Sequence, residues 1–374
     1  MRLVAQGLIY DAAQASATVR FASFPTLTLL PGGRLLAAFR VGSSKDAADE
    51  DVRVMLSDDG GESWRMQFGG FGDRPPGRGR MRALGITPYA SGLIGALTWI
   101  DRSDPTRPLA DPATQGLLPA RVMVANSPDG AAWHDLREVP LAPYEGCVTT
   151  GSILVLGDGT LALPYESWKN WGDTRPGKHR AALRFSADSG RTWHADATVA
   201  HDADGRLLFW DQRVAVSHDG AQLVSMFWSH DRISGQDAPI HIAWGSADGH
   251  TWSAPYATGI EGQICAPLYM PDGRLLAAYV HRHDPPGLRA VLSDDGGHSW
   301  NISTELEFYR KEREGAESGM GGRRDFGDYW ADMSIWTFGH PTPVVLDDGN
   351  VLIIYYAGDA RAMGVYWARI ALEA

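Results

Sequence analysis

The chain has 374 residues, of which 44% are hydrophobic, and it carries a formal net charge of −11 at pH 7. A chain of this length and composition can bury a substantial core, and its acidic balance argues against a nucleic-acid partner, because phosphate binding needs a basic surface. No apolar run approaches the length of a membrane span, so no membrane segment is expected.

The first predicted element is a strand, RLVAQGLIY, that has no hairpin partner of its own. The opening residues lack a charged stretch followed by a long apolar core, which is the pattern of a signal peptide. We therefore expect a cytoplasmic protein. Its two cysteines, Cys147 and Cys265, lie in different repeats, and two free buried thiols are favoured over a disulfide.

Six apolar hairpins follow along the chain, each consisting of two alternating runs around a glycine turn. The turn glycines are Gly33, Gly92, Gly159, Gly220, Gly273 and Gly349. Strands of period two that are joined by Asp-Gly or Gly-Gly are typical of antiparallel hairpins.

A second repeat, Ser-x-Asp-(x)-Gly-x-Ser/Thr-Trp, follows five of the six hairpins. Its copies occupy residues 57–64, 127–133, 186–193, 246–252 and 293–300. Ser and Asp side chains bind nearby backbone N–H groups, glycine supplies a positive φ, and the Trp covers an apolar patch at the next strand. A unit that repeats every ~50–70 residues is typical of propellers and solenoids.

These repeats predict an all-β fold, a six-bladed β-propeller of four-stranded antiparallel blades. The last hairpin is followed by one more strand, MGVYWARIAL, in place of a repeated turn. We expect the N-terminal strand to complete this last blade and close the ring, which would leave no exposed edge. Residues 1–374 would then form a single domain.

Strand direction predicts that the repeated turns lie on one face and that charged, imidazole and phenol groups converge on the opposite face. Any one of these groups is equally well explained as a solvated loop end. The arginines, however, cluster there in an acidic protein, which suggests an anionic ligand such as a small glycan. The candidate substrate-binding residues are Arg40, Arg213, His230, His281, Arg282 and Trp168.

The longest insertions belong to the same face. They are segments 66–82, 101–120, 169–182 and 301–340. The last of them contains Trp and Tyr residues, which favours partial ordering over a pocket. We interpret 301–340 as a candidate lid.

The repeated turn resembles the Asp-box of the sialidase (neuraminidase) superfamily, and the phased hairpins extend this resemblance over nearly the whole chain. The resemblance implies a six-bladed propeller with the active site opposite the boxes. Sialidases of this group bind a sugar carboxylate with three arginines, protonate the leaving group with an Asp, and use a Tyr activated by a Glu as nucleophile. Here Ser23-Phe24-Pro25 replaces their Arg-Ile-Pro phrase, and His340 stands where the tyrosine is expected.

Glycoside hydrolysis needs an acid together with a nucleophile or a base, and two carboxyl groups are the common solution. The superfamily's acid matches the acidic stretch before the first repeated turn, which contains Asp49 and Asp51, and Asp51 is the candidate we select. Glu166 and Asp211 come from two other hairpins and could face Asp51 across a pocket. His340 and Tyr356 complete the candidate catalytic set.

We therefore expect a carbohydrate-active enzyme, an exo-acting glycoside hydrolase on an acidic or modified sugar. Two alternatives stay open: a polysaccharide lyase or a His/Tyr-dependent glycosidase on uronate-containing glycans, and a non-catalytic sugar-binding propeller. No pattern predicts a metal site or a phosphate loop, so no metal and no cofactor are expected.

Overall fold

The structure is a computed structural model that describes residues 1–72, 78–177, 179–312, 328 and 336–372. Its regular structure is almost entirely β-strand, and two three-residue 3-10 helices lie at Ala17–Val19 and Ile302–Thr304. Within the described ranges, no helix has both the length and the apolar character needed to cross a membrane.

In the described part of the chain, backbone hydrogen bonds define five antiparallel-rich sheets arranged as a β-propeller. Three sheets have four strands each. The first contains β6 (Gly79–Tyr89), β7 (Gly92–Asp101), β8 (Ala120–Ser127) and β9 (His134–Glu138), and the second contains β15 (Leu207–Val216), β16 (Gln222–Asp231), β17 (Gln236–Ser246) and β18 (Tyr256–Ala257). The third contains β19 (Cys265–Tyr269), β20 (Leu275–His281), β21 (Gly287–Ser293) and β22 (Leu306–Arg310). A fourth contains β10 (Glu145–Thr149), β11 (Leu154–Val155), β12 (Leu161–Trp168), β13 (Arg180–Ser186) and β14 (His194–Ala200).

The fifth sheet has eight strands and combines the two ends of the chain. It contains β2 (Phe21–Leu29), β3 (Leu35–Gly42), β4 (Asp51–Ser57) and β5 (Arg65–Phe68) together with β1 (Arg2–Tyr10), β23 (Phe338–Val345), β24 (Val351–Gly358) and β25 (Met363–Ala371). A single parallel bridge between Phe21 and Met363 joins these two groups. The prediction of six separate blades is therefore not reproduced by the hydrogen bonding, because this long-range bridge merges the first and last hairpins.

The N-terminal strand pairs with the last strand of the chain. β1 runs antiparallel to β25, from Arg2 opposite Ala371 to Tyr10 opposite Val365, with two register shifts. The pairing of residues 2–10 is as expected from the sequence. That this pairing closes the ring, and that residues 1–374 form one domain, stay predictions.

Two of the repeated Ser-Asp-Gly-Trp turns, 57–64 and 186–193, share one set of hydrogen bonds. In residues 57–64 the Ser57 hydroxyl accepts the Gly61 N–H (2.9 Å), Asp59 accepts the Ser63 N–H (2.9 Å), and the Trp64 indole donates to the Gly61 carbonyl (2.9 Å). Residues 186–193 repeat this arrangement, as Gly190 bonds to Ser186 and Thr192 to Asp188. The turn at 57–64 lies at the opposite end of β4 from Asp51, so the turns and residues 43–50 lie at opposite ends of the strands.

The hydrophobic core lies between neighbouring sheets. Leu36 and Val54 of the largest sheet, for example, pack in one cluster with Leu84 and Leu97 of the next sheet. Cys147 and Cys265 are both buried and free, as predicted.

Candidate functional site

A cavity of about 500 Å³ is lined by residues of several sheets, and the strands β2, β6, β10, β15, β19 and β23 all contribute to its wall. Each of these strands is the first of a hairpin predicted from the sequence. Charged residues such as Arg82 and Asp211 come from the earlier part of their strands, and apolar residues such as Leu84 and Val216 follow them. One part of the cavity is therefore polar and the other apolar.

Four of these strands contain the same β-bulge, in which two residues lie opposite one residue of the partner strand. The first bulged residue has a positive φ in every case: Phe24 (54°), Gly146 (56°), Asp211 (53°) and His340 (51°). This conformation costs a residue with a Cβ atom about 1–2 kcal/mol. A bulge changes the direction of a side chain, and Phe24, Asp211 and His340 all line the cavity.

Glu166 and Asp211 form a pair of carboxyl groups in the wall of the cavity. Glu166, near the end of β12, is only 3% exposed, and its Oε1 accepts the Gln212 N–H at 2.8 Å. Burial and, next, the Asp211 carboxylate raise the pKa of Glu166 to about 8. Burial also raises the pKa of Asp211, although the nearby Arg213 and Lys45 oppose this shift. With this pKa, Glu166 is protonated at neutral pH.

Arg213 and His340 lie beside Asp211. The Arg213 Nη2 donates to His340 Nδ1 at 2.9 Å and lies 3.7 Å from the Asp211 Oδ1. Burial and the surrounding cations lower the pKa of His340 well below its ordinary value, so the imidazole is neutral. Since a guanidinium only donates hydrogen bonds, the His340 proton must be on Nε2. This N–H lies 3.9 Å from Asp211 Oδ1 and has no hydrogen-bond partner among the described residues.

Across the cavity, three arginines surround two carboxylates. Glu50 accepts Arg82 at 2.7 Å and Arg102 at 2.7 Å, and Arg40 approaches it at 3.4 Å. Asp46 binds Arg82 at 2.6 Å, with Arg40 and Arg102 each at 3.9 Å. We call these five residues the arginine cluster. Both acids belong to the connection between β3 and β4.

Arg282 and Tyr356 lie behind the cavity wall. The Arg282 side chain donates to the Gln263 side chain (2.8 Å) and to the Phe338 carbonyl (3.0 Å), and it stacks 3.9 Å from the centre of the Trp336 ring. Tyr356 is 1% exposed, and burial, opposed by Arg282 and Arg40, raises its pKa to about 12. Neither side chain is part of the cavity lining that the structure describes.

Aromatic rings form the remaining wall. Trp168 and Trp210 both line the cavity, with ring centroids 5.9 Å apart. Trp210 in turn packs against Trp228 at 4.1 Å, which supports its position from behind.

Six of the candidate residues line the cavity: Glu166, Asp211, His340, Arg40, Arg213 and Trp168. Besides Arg282 and Tyr356, three other candidates lie outside the cavity lining: Asp51, His230 and His281. Asp51 accepts the backbone N–H groups of Phe71 and Gly72, both at 3.0 Å, and so holds the segment after β5. His230 bonds Asp237 at 3.2 Å, and His281 bonds the Pro285 carbonyl at 3.2 Å.

Arg40, Arg213 and Arg282 were three of the candidate substrate-binding residues, and all three bind groups of the protein itself. Arg40 lies against Glu50, Arg213 donates to the Thr150 carbonyl as well as to His340, and Arg282 is engaged as described above. The contacts of these arginines therefore do not support a bound anion.

The candidate residues selected from the sequence did not include Lys45, Asp46, Glu50, Arg82 or Arg102. The dense run of charges in residues 45–51, directly after a buried strand, was the available signal.

Most of the candidate lid, 301–340, lies outside the described residues. Among the residues that are described, no group of three or more His, Cys, Asp or Glu side chains is placed to hold a metal ion.

Several solved structures are similar to this chain over its whole length. A protein of unknown function from Dyadobacter fermentans is 19% identical with a TM-score of 0.71, covering 100% of this chain and 99% of that chain. A Hadza microbial sialidase is 17% identical with a TM-score of 0.66, covering 98% and 68%. A Penicillium chrysogenum α-L-arabinanase bound to arabinobiose is 12% identical with a TM-score of 0.64, covering 99% and 98%. At these identities the similarity establishes the fold alone.

A family model described as a BNR repeat-like domain matches residues 110–312, which is more than half of the chain. This match covers four of the five repeated turns completely, and the similarity to the solved structures extends over both ends of the chain. The chain belongs to the BNR repeat-like domain family.

Proposed function

We propose that this protein is a glycoside hydrolase in which Glu166 is the general acid and Asp211 is the ionised carboxylate that acts on the anomeric carbon or on a water beside it. The observation that carries the proposal is the pairing of these two carboxyl groups in one cavity wall, where burial and the Asp211 carboxylate raise the pKa of Glu166 to about 8 while Arg213 and Lys45 oppose the rise in the pKa of Asp211. Carboxyl groups whose pKa values are driven apart by their surroundings are typical of acid/base pairs in glycosidases.

Glu166 has the properties of a proton donor. With a pKa of about 8 it is protonated at neutral pH, so it can deliver its proton to the glycosidic oxygen as the bond to the leaving group breaks. The Gln212 N–H fixes one oxygen of this carboxyl group at 2.8 Å, which would hold the acid in one orientation during the transfer.

Asp211 has the properties of the partner carboxylate. Arg213 and Lys45 favour its ionised form against the effect of burial, and the bulge in β15 directs it into the cavity. Trp168 and Trp210 offer apolar ring faces in the same cavity, on which a sugar ring could stack.

The alternative with a His or Tyr as the base has less support. The Nδ1 atom of His340 already accepts a hydrogen bond from Arg213, and Nε2 carries the proton, so neither nitrogen is available to abstract one. Burial opposes ionisation of Tyr356, and its pKa of about 12 disfavours a phenolate at neutral pH. His340 is better suited to donate its Nε2–H to a sugar hydroxyl.

The test is a panel of aryl glycosides, sialosides and uronate oligosaccharides, followed by assays for reducing ends and for unsaturated uronate products. Hydrolysis supports the proposal, unsaturated products would establish a lyase instead, and binding without turnover would establish a sugar-binding module. Asp211→Asn is the sharpest variant, because Asn tolerates the positive φ of this position and so preserves the backbone. We expect kcat to fall by about 10²–10⁴-fold.

Asp104→Asn is the matched control for Asp211→Asn. Asp104 is half-buried, pairs with Arg107 in the segment after β7, and undergoes the same change of charge. If the control loses as much activity as Asp211→Asn, the loss reflects net charge and not the proposed role.

A further inference from the structure

The Asp46 carboxylate occupies a position among arginines that would otherwise be an anion-binding site. It lies in the cavity lining, with Arg82 at 2.6 Å and both Arg40 and Arg102 at 3.9 Å. Three guanidinium groups around one point are the arrangement that proteins use to bind a free carboxylate or phosphate. Here the protein supplies the carboxylate itself.

The connection that carries Asp46 is held firmly in place. Asp49 accepts the N–H and hydroxyl of Ser43 at 3.0 and 2.9 Å, and the Lys45 ammonium donates to the Trp336 carbonyl at 2.7 Å. Glu50, at the end of the connection, is 1% exposed and binds two of the same arginines. Asp46 is therefore fixed from both sides.

Asp46 is also ionised under ordinary conditions. Burial opposes its ionisation, but Arg82, Arg40 and Arg102 outweigh this effect and hold the pKa of the carboxyl below its ordinary value. A substrate carboxylate at this place would have to displace a charged group that already has its three partners, and it would meet the like charge of Asp46.

We infer that Asp46 is a specificity-determining residue that fills an internal anion subsite, so that the sugar unit bound here carries no carboxylate and is held through its hydroxyl groups. The sugar class rests on the proposed function, whereas the filled anion subsite does not. Asp46 itself, 26% exposed at its side chain, can accept hydrogen bonds from such hydroxyls. This inference replaces the expectation of an anionic glycan that arose from the arginine content.

The first experiment measures anion binding at this subsite, through the thermal stability of the protein and without any sugar. Asp46→Ala leaves three arginines facing only Glu50, so acetate should occupy the vacated position. We expect acetate, compared with chloride at equal pH and ionic strength, to raise the melting temperature of Asp46→Ala by about 3 °C or more and to leave wild type unchanged. The control, Asp104→Ala, removes a half-buried acid and should behave as wild type does.

The outcomes of this experiment decide the inference. It is overturned if acetate stabilises wild type as much as the variant, or if it does not stabilise folded Asp46→Ala. Should the variant fail to fold in chloride, refolding in acetate takes the place of the melting curve. Recovery of folded protein then supports the filled subsite, and no recovery overturns it.

The second experiment addresses the sugar. Pairs of aryl hexosides and their uronate counterparts are compared by binding and by turnover, with wild type and Asp46→Ala. Wild type should favour the neutral member of a pair by about tenfold or more, and the variant should shift this ratio toward the uronate by a similar factor. A wild-type preference for uronates would refute the sugar class. Failure of turnover with every sugar would count against the proposed hydrolase while leaving the acetate result valid.

Discussion

Replacing Glu166 by Gln should make the protein more stable at alkaline pH while removing its activity. The pKa of Glu166 is raised from 4.5 to about 8 in the folded protein, so folding favours the protonated form. The stability that this group contributes is complete below its unfolded pKa and is lost as pH rises toward 8. Gln cannot ionise, and it keeps the oxygen that accepts the Gln212 N–H.

The size of the effect follows from about 1.4 kcal/mol per pKa unit. Between pH 5 and pH 8 the wild-type protein should lose about 3 kcal/mol of stability through Glu166, and the variant should not. For a chain of this length this corresponds to a relative change in melting temperature of about 4 °C. Since the buried amide of Gln has its own cost at every pH, the informative quantity is the difference between the two pH values.

Thermal melting of wild type and Glu166→Gln across this pH range measures the effect, and kcat/KM of the wild type should fall as pH rises through about 8. Glu138→Gln is the matched control, because Glu138 is an exposed residue of β9 paired with Arg121. Parallel melting profiles for wild type and Glu166→Gln would refute the raised pKa, and with it the assignment of the acid. Full activity of Glu166→Gln would refute the assignment even if the melting profiles differed.

Two further predictions concern the scaffold. Trp193→Ala should lower the free energy of unfolding by about 3–5 kcal/mol, because this Trp is 2% exposed in the core. The ligand affinity of the folded fraction should stay unchanged. A stable variant that no longer binds ligand would contradict the prediction that the repeated turns and the site lie on opposite faces. Deleting residues 2–10 should leave the edge of β25 unpaired and cause aggregation or a much lower melting temperature in light scattering and calorimetry. A monomeric deletion variant that melts with wild type would show that β1 does not close the ring.

The hairpins and repeated turns could be predicted because their signals are local. Gly61 and Ser57 are only four residues apart, and the hydrogen bond between them needs no information from elsewhere in the chain. The bridge between Phe21 and Met363 has no such signal, since it depends on how the ends of the chain meet. For this reason the sequence predicted each hairpin and its turn but not their division into five sheets.

The candidate site was harder to predict because bulges interrupt the alternation of side chains along a strand. In β15 two residues, Asp211 and Gln212, lie opposite the single residue Phe227 of the partner strand. A strict alternation of faces, counted from the start of the strand, therefore assigns side chains beyond this bulge to the wrong face of the sheet. Asp51 was selected from its position before a repeated turn, yet its carboxylate binds backbone N–H groups at 71–72. The arginine cluster depends on charges from two strands, β3 and β6, and from the connections after β3 and after β7, and no short pattern reveals which of them pair.

The positive φ shared by Phe24, Asp211 and His340 has a consequence for how such a cavity can change during evolution. Each of these residues lies in a β-bulge, where the regular hydrogen-bond pattern between the two strands is interrupted. Exchanging its side chain therefore leaves the paired residues on either side in register. Asn, Asp, His and Gly are the residues that tolerate this conformation most readily, and three of these four bring a new polar group. The chemistry of the cavity can therefore be replaced one position at a time while the sheets that surround it stay the same.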